Sequence, residues 1–208
     1  LSLHDALPIY YYEGGGFFIS GLKALAFLLV GENMLAHRLV GLLTCWAVFF
    51  GLWRLMNAHF GRRAAHLAAI FFLLGPSGFQ RFSLLSLGIH FEAMALGLPL
   101  LDEGLRLIRW RAWRPSWVRT LGVGVLAGFG VFFSYQNLLI LGWVGLWVLA
   151  LRWRWLLSRA GLVLLAGFAI GLLPMGYMAW NVGTALLDVH GTELAQLESN
   201  WTRLQSFL

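Results

Sequence analysis

One cysteine, five prolines and nine acidic residues are all that this chain of 208 residues contains of those types. A lone Cys45 can close no intrachain disulfide, so a disulfide-stapled fold is excluded and the redox compartment stays unmarked. Charged residues make up 12% against 60% hydrophobic, too few polar side chains to coat a soluble globule of this length. No Gly-Lys-Ser or Gly-Lys-Thr occurs, which leaves a nucleotide-cradling loop unsupported. The apolar runs lack period-two alternation, which argues against strands. Nothing in the chain is low in complexity or polar enough for a separate soluble domain.

Long runs of Leu, Ala, Phe and Trp are what remains, and they read as helices. The expected fold is all-α, a polytopic transmembrane helix bundle of about six membrane helices plus one outer juxtamembrane helix. The six fall at about His37–Leu55, Arg63–Phe79, Phe82–Leu101, Val118–Phe133, Gln136–Leu151 and Ala160–Trp180. Several are near or below the roughly 17-residue minimum for a crossing, so they are expected to be short, tilted or extended by flanking residues. Four regions follow: 1–9, an outer-face juxtamembrane segment 10–34, the bundle 35–180, and 181–208 as a truncated tail or the start of an extracytoplasmic loop.

Charge gives the direction. Of the fifteen Lys and Arg residues, eleven lie in three short segments: Arg54–Arg63, Arg106–Arg119 and Arg152–Arg159. Basic residues in short loops stay cytoplasmic. The connections that alternate with them, at Glu32–Asn33, Gln80–Arg81 and Ser134–Gln136, are then outside, as is the acidic tail from Asp188. This topology suits a multi-pass membrane protein. A pI near 10.2 would also suit nucleic acid. However, the arginines alternate with Trp at span ends (Arg109-Trp110-Arg111, Arg152-Trp153-Arg154-Trp155), the pattern of interfacial anchoring, so membrane lipid is the expected partner and nucleic acid is not.

Two segments stand apart. Leu1–Ile9 reads LSLHDALPI and resembles the translation of a short-read sequencing adapter, whose leftover T begins a Tyr codon just where Tyr10 follows. It is excluded from fold reasoning as an assembly artefact, and His4 and Asp5 go with it. Phe17–Val30 is apolar but only fourteen residues long, with Lys23 in the middle. A run of that length is more often interfacial than spanning, so it is expected to lie on the outer face with Lys23 reaching the headgroups; a marginal first membrane helix is the alternative.

Polar residues at membrane depth are few. Glu92 falls about ten residues into its expected helix, roughly 15 Å down, where an ionisable group is a functional candidate unless it pairs two helices together. His90 points away from it but shares a face with Ser83 and Ser86. A lone histidine is weak ground for a metal site, so neither metal nor cofactor is expected. Arg38 and Arg81 break the positive-inside bias; they serve as snorkelling anchors or hold an anion such as a lipid phosphate. Lys23, His37, Gln80, Gln136, Asn137 and Glu13 are expected near that same surface. The glycine pairs Gly122/Gly124, Gly128/Gly130 and Gly142/Gly145, with Gly161, Gly167 and Gly171, suit close helix packing in lipid.

The order of several short motifs resembles a known family. Tyr10-Tyr11-Tyr12 opens the juxtamembrane helix and Gly31-Glu32 closes it. Ala36-His37-Arg38-Leu39 begins a membrane helix. Phe60-Gly61-Arg62-Arg63-Ala64-Ala65 forms a cytoplasmic turn, and Gly75-Pro76-Ser77 stands at the next outer end. Over roughly Tyr10–Tyr177 the chain is similar to the polyprenyl-phosphate-dependent glycosyltransferases of the GT-C fold, the mannosyl- and arabinosyltransferase-like proteins of bacterial membranes. The resemblance implies transfer of a sugar from a polyprenyl-phosphate donor to an acceptor on the extracytoplasmic side. An acidic residue of the first outer loop acts there as general base, and basic residues hold the departing phosphate. That acidic motif would lie before Tyr10, so the catalytic residue is unknown and the chain is expected to be an inactive fragment. Arg38 matches the family's arginine at the start of the helix. Arg81, His90 and Glu92 join it as substrate-binding candidates by depth and side alone. A transporter or lipid flippase, or a structural membrane subunit, is the alternative; no internal repeat supports the first of these.

Overall fold

A computed structural model of the chain describes residues 14–85, 91–109 and 115–182. Every element among them is a helix: α1 (Gly14–Val30), α2 (Met34–Phe60), α3 (Arg62–Leu73), α4 (Ser77–Leu85), α5 (Phe91–Arg109), α6 (Trp117–Phe133), α7 (Gln136–Leu156), α8 (Arg159–Gly171) and α9 (Leu173–Val182). Helices α1 to α8 form one compact unit. Helix α9 belongs to another; it is ten residues long, with Pro174 in its first turn, where a missing N–H breaks no helical bond.

Local chemistry explains where the helices begin and end. Gly31, at φ 88°, takes a left-handed conformation that a side chain would resist, and it turns α1 into α2. Asn33 then caps α2, its side-chain oxygen accepting from the Ala36 N–H at 2.8 Å. Gly61, at φ 89°, separates α2 from α3 in the same way. Ser116 caps α6 by accepting from the Arg119 N–H. Pro76 ends the α3 path after Leu74, and the Gln80 side chain reaches back to donate to the stranded Leu73 carbonyl at 2.9 Å.

By length and composition α2 and α7 can each cross a membrane, and α8 with α9 makes a third crossing if the two are one broken span. Three expected spans look different. The stretch Arg63–Phe79 breaks at Gly75-Pro76 into α3 and the start of α4. Phe82–Leu101 straddles the end of α4 and the start of α5, with 86–90 outside the described residues. Helix α6 is apolar but only seventeen residues long. Boundaries elsewhere sit close to expectation, notably at the turn from Phe133 to Gln136.

Helix α1 is tucked into the bundle. Its Ile19 and Ala26 are buried in one cluster with Ala36 and Val40 of α2, Ala93 of α5 and Phe133 of α6. Phe18 lies edge-on to Phe129 and Phe133. A second cluster joins Val48 and Leu55 of α2 to Phe91 and Leu98 of α5, flanked by Phe72 and Phe79. Helices α6 and α8 meet backbone to backbone. A Cβ on Gly124 or Gly128 would collide with the Leu164 or Phe168 carbonyl, and one on Gly167 or Gly171 with the Leu121 or Val125 carbonyl. The expected role of Gly122, Gly142 and Gly145 is corrected: nothing lies within 4 Å of a Cβ built on any of them. The outward face of α7 is hydrocarbon instead, with Leu139 73% and Leu146 67% exposed and Trp143 stacked on Trp147.

Candidate functional site

The register of α2 on α5 sets the depth of each polar group. A Cβ on Gly51 would stand 3.2 Å from Leu98 Cδ1, and further along both helices His59 meets Asp102. The two helices therefore run in the same direction. Glu92 precedes Leu98 by six residues, so it stands about 9 Å short of that contact, level with Cys45. Cys45 does pack on the cluster containing Phe91 and Leu98. Helix α2 is about 40 Å long at its ordinary rise, which puts this level near its middle. Glu92 stands in the first turn of α5, and residues 86–90 before it lie outside the described residues.

Around that level the polar groups are few and enclosed. Glu92 is buried, and its charge attracts that of half-buried Lys23 on α1. Ser134 and Asn137, at the α6–α7 turn, are also buried. The Asn137 amide nitrogen donates to the Gly130 carbonyl at 3.0 Å. Its amide oxygen has no hydrogen-bond partner among the described residues, and a Cβ on Gly97 would stand 2.9 Å from it. Asn137 thus ties together α5, α6 and α7 at their junction. An acid and a base near enough to attract each other in apolar surroundings are both polar groups with few other polar neighbours. Either member can offer a hydrogen bond to a polar ligand that reaches it.

The candidates from sequence are not drawn into one place. Arg38 is exposed on α2, about seven residues and so ~10 Å from the level of Glu92 along the axis. It forms no ion pair among the described residues. Arg81 lies within α4, but its side chain is outside the described residues, as is the whole of His90. His37 is half-buried and Gln136 exposed. Among the described residues no three His, Cys, Asp or Glu side chains gather as a metal site would require.

A second polar cluster, at the arginine-rich end, has no counterpart among the expected residues. His59 Nε2 and Asp102 Oδ1 are 2.8 Å apart, and Arg106 Nε donates to the same oxygen at 3.0 Å from one turn further along α5. Arg109 donates to the His59 carbonyl. Beside them Arg119 of α6 places Nε and Nη2 at 3.1 and 2.7 Å from Glu103 Oε2. A signal for it was present in the sequence. Asp102-Glu103 is an acidic pair close to a basic segment, and Asp102 has Arg106 four residues on.

Compared with models of protein families, with characterised proteins and with solved structures, the chain matches none.

Proposed function

We propose that this chain is a multi-pass protein of the bacterial plasma membrane, with six crossings, and that it belongs to a polyprenyl-phosphate-dependent glycosyltransferase of the GT-C kind. Its part is to hold the lipid-linked sugar donor on the extracytoplasmic side. Arg38 and Arg81 bind the donor phosphate, and His90 and Glu92 line the path beneath it. The supporting observation is the position of Arg38. It is an exposed guanidinium without an ion-pair partner among the described residues, one turn into α2, at the end of the helix away from the arginine-rich turns. A planar guanidinium of that kind can take two phosphate oxygens at once. As the phosphate leaves the sugar it gains charge, and a fixed cation there stabilises the transition state.

The test is photocrosslinking in membranes that carry the chain, using a diazirine-bearing polyprenyl phosphate. Adducts are expected on the first half of α2. Arg38→Ala should lower their yield about tenfold, the loss expected for one charge-assisted contact. Unlabelled polyprenyl phosphate should compete, whereas polyprenol without the phosphate should not. Equal competition by both, or capture indifferent to Arg38, would leave a transporter or a structural subunit as the better reading.

A further inference from the structure

We infer that the arginine-rich end carries a built site for a glycerophospholipid, with its phosphate on Arg54 and its glycerol region in a cavity between α2, α5 and α6. This goes beyond the donor site proposed above and lies at the other end of α2. The cavity holds about 420 Å³. One side is hydrocarbon, from Phe50 and Leu98 with Val123 and Leu126; the other carries Arg54, Asp102, Glu103 and Arg119. A wall apolar on one side and charged on the other fits an amphiphile better than a free metabolite.

The four charges on the wall sum to zero, but they are not equally engaged. Asp102 is occupied by His59 and Arg106, and Glu103 by Arg119. Arg54 forms no ion pair or hydrogen bond among the described residues. Arg54 is thus the one charged side chain of this wall with no partner among the described residues, and its exposed guanidinium is open to an anion. Arg54 sits on the last two turns of α2, among residues that carry most of the chain's arginines. Helix ends of that composition lie at headgroup level, where phospholipid phosphates are the commonest anions. Glu103 and Val123 also line a second cavity, of about 440 Å³, walled by Leu107, Leu141, Val148 and Phe168 among other apolar side chains. An apolar space of that kind beside the first cavity suits an acyl chain.

Gly122 supplies a clean probe. It lines the first cavity, and a Cβ built on it meets nothing within 4 Å. A leucine at this position fills the cavity without displacing a neighbour, and it suits a helix better than glycine does. The experiment is native mass spectrometry of the full chain extracted from bacterial membranes, counting bound phospholipid. Fluorescence-detected size exclusion verifies that each variant is folded. Wild type should retain a phospholipid. Arg54→Ala and Gly122→Leu should each lower occupancy about tenfold, while Arg62→Ala, an exposed arginine outside the cavity, should leave it unchanged. Vesicles of phosphatidylglycerol should restore the bound lipid after stripping. Millimolar inorganic phosphate should neither occupy the site nor displace the lipid. Wild type devoid of lipid, a full complement in Gly122→Leu, or equal loss in Arg62→Ala would overturn the assignment. Displacement by inorganic phosphate would reassign the cavity to a free anion.

Discussion

The two ends of α5 solve the problem of buried charge differently. Near Phe91 the helix presents Glu92, whose charge attracts that of Lys23 on α1, and Asn137 keeps one amide oxygen without a partner among the described residues. Ten residues on, Asp102 accepts from Arg106 and meets His59, while Glu103 is gripped by Arg119. The first arrangement leaves polar capacity unused in apolar surroundings. The second shares its charges over three helices and stands where arginines reach water. A ligand site benefits from unspent capacity, because hydrogen bonds already satisfied within the protein gain little from a newcomer. The compact network at the arginine-rich end is better suited to fixing α2, α5 and α6 relative to one another, with Arg54 alone left over for a partner.

The largest effect should come from cutting that network at its centre. Asp102→Ala leaves buried His59 and Arg106 facing each other without the carboxylate between them. Removing one partner of a buried pair costs about 3–5 kcal/mol. Thermal denaturation of the purified chain, read by size exclusion after heating, should show the loss. Asp102→Asn, which keeps an acceptor for His59, should lose much less. Equal behaviour of the two variants would mean that charge has no part in holding this end.

A smaller effect is expected at the other end. Glu92→Ala removes the buried charge that attracts Lys23, yet that lysine is only half-buried and its long stem can carry the ammonium outward. A loss of about 1–2 kcal/mol is expected for such a partly relieved charge. Adding Lys23→Met should recover most of it, since the double variant leaves neither charge uncompensated. If the two losses simply add, Lys23 and Glu92 do not interact and the contrast between the two ends of α5 fails.

Much of the scaffold was legible in the sequence because it depends on local chemistry. The turn at Ser134, the start of α8 at Arg159 and the i,i+4 glycines of α6 and α8 follow from residue type and helical period. The break at Gly75-Pro76 carried its own punctuation but was absorbed into a hydrophobic run. What period and composition could not supply is which faces meet. His59 and Asp102 are 43 residues apart, and no local rule pairs them. Gly142 and Gly145 look like the packing glycines of α6, yet α7 turns neither toward a close neighbour. The attraction of Glu92 to Lys23 likewise needed the fold of α1 onto the bundle.

The smallest effect belongs to the outermost pair. The Arg119 side chain is 40% exposed, while Glu103 opposite it is 12% exposed. Exposed ion pairs contribute about 0.2–1 kcal/mol, and both nitrogens of Arg119 converge on one oxygen of Glu103, so the upper part of that range applies. Glu103→Gln should therefore cost less than Glu92→Ala and far less than Asp102→Ala. Salt separates the cases further. At about 1 M the screening length falls to roughly 3 Å, which weakens an exposed pair and leaves a buried one nearly intact. The gap between wild type and Glu103→Gln should shrink at high salt, and the gap for Asp102→Ala should not. A Glu103 gap that survives high salt would place this pair with the buried network, making Arg119 part of the structural core of that end and not its rim.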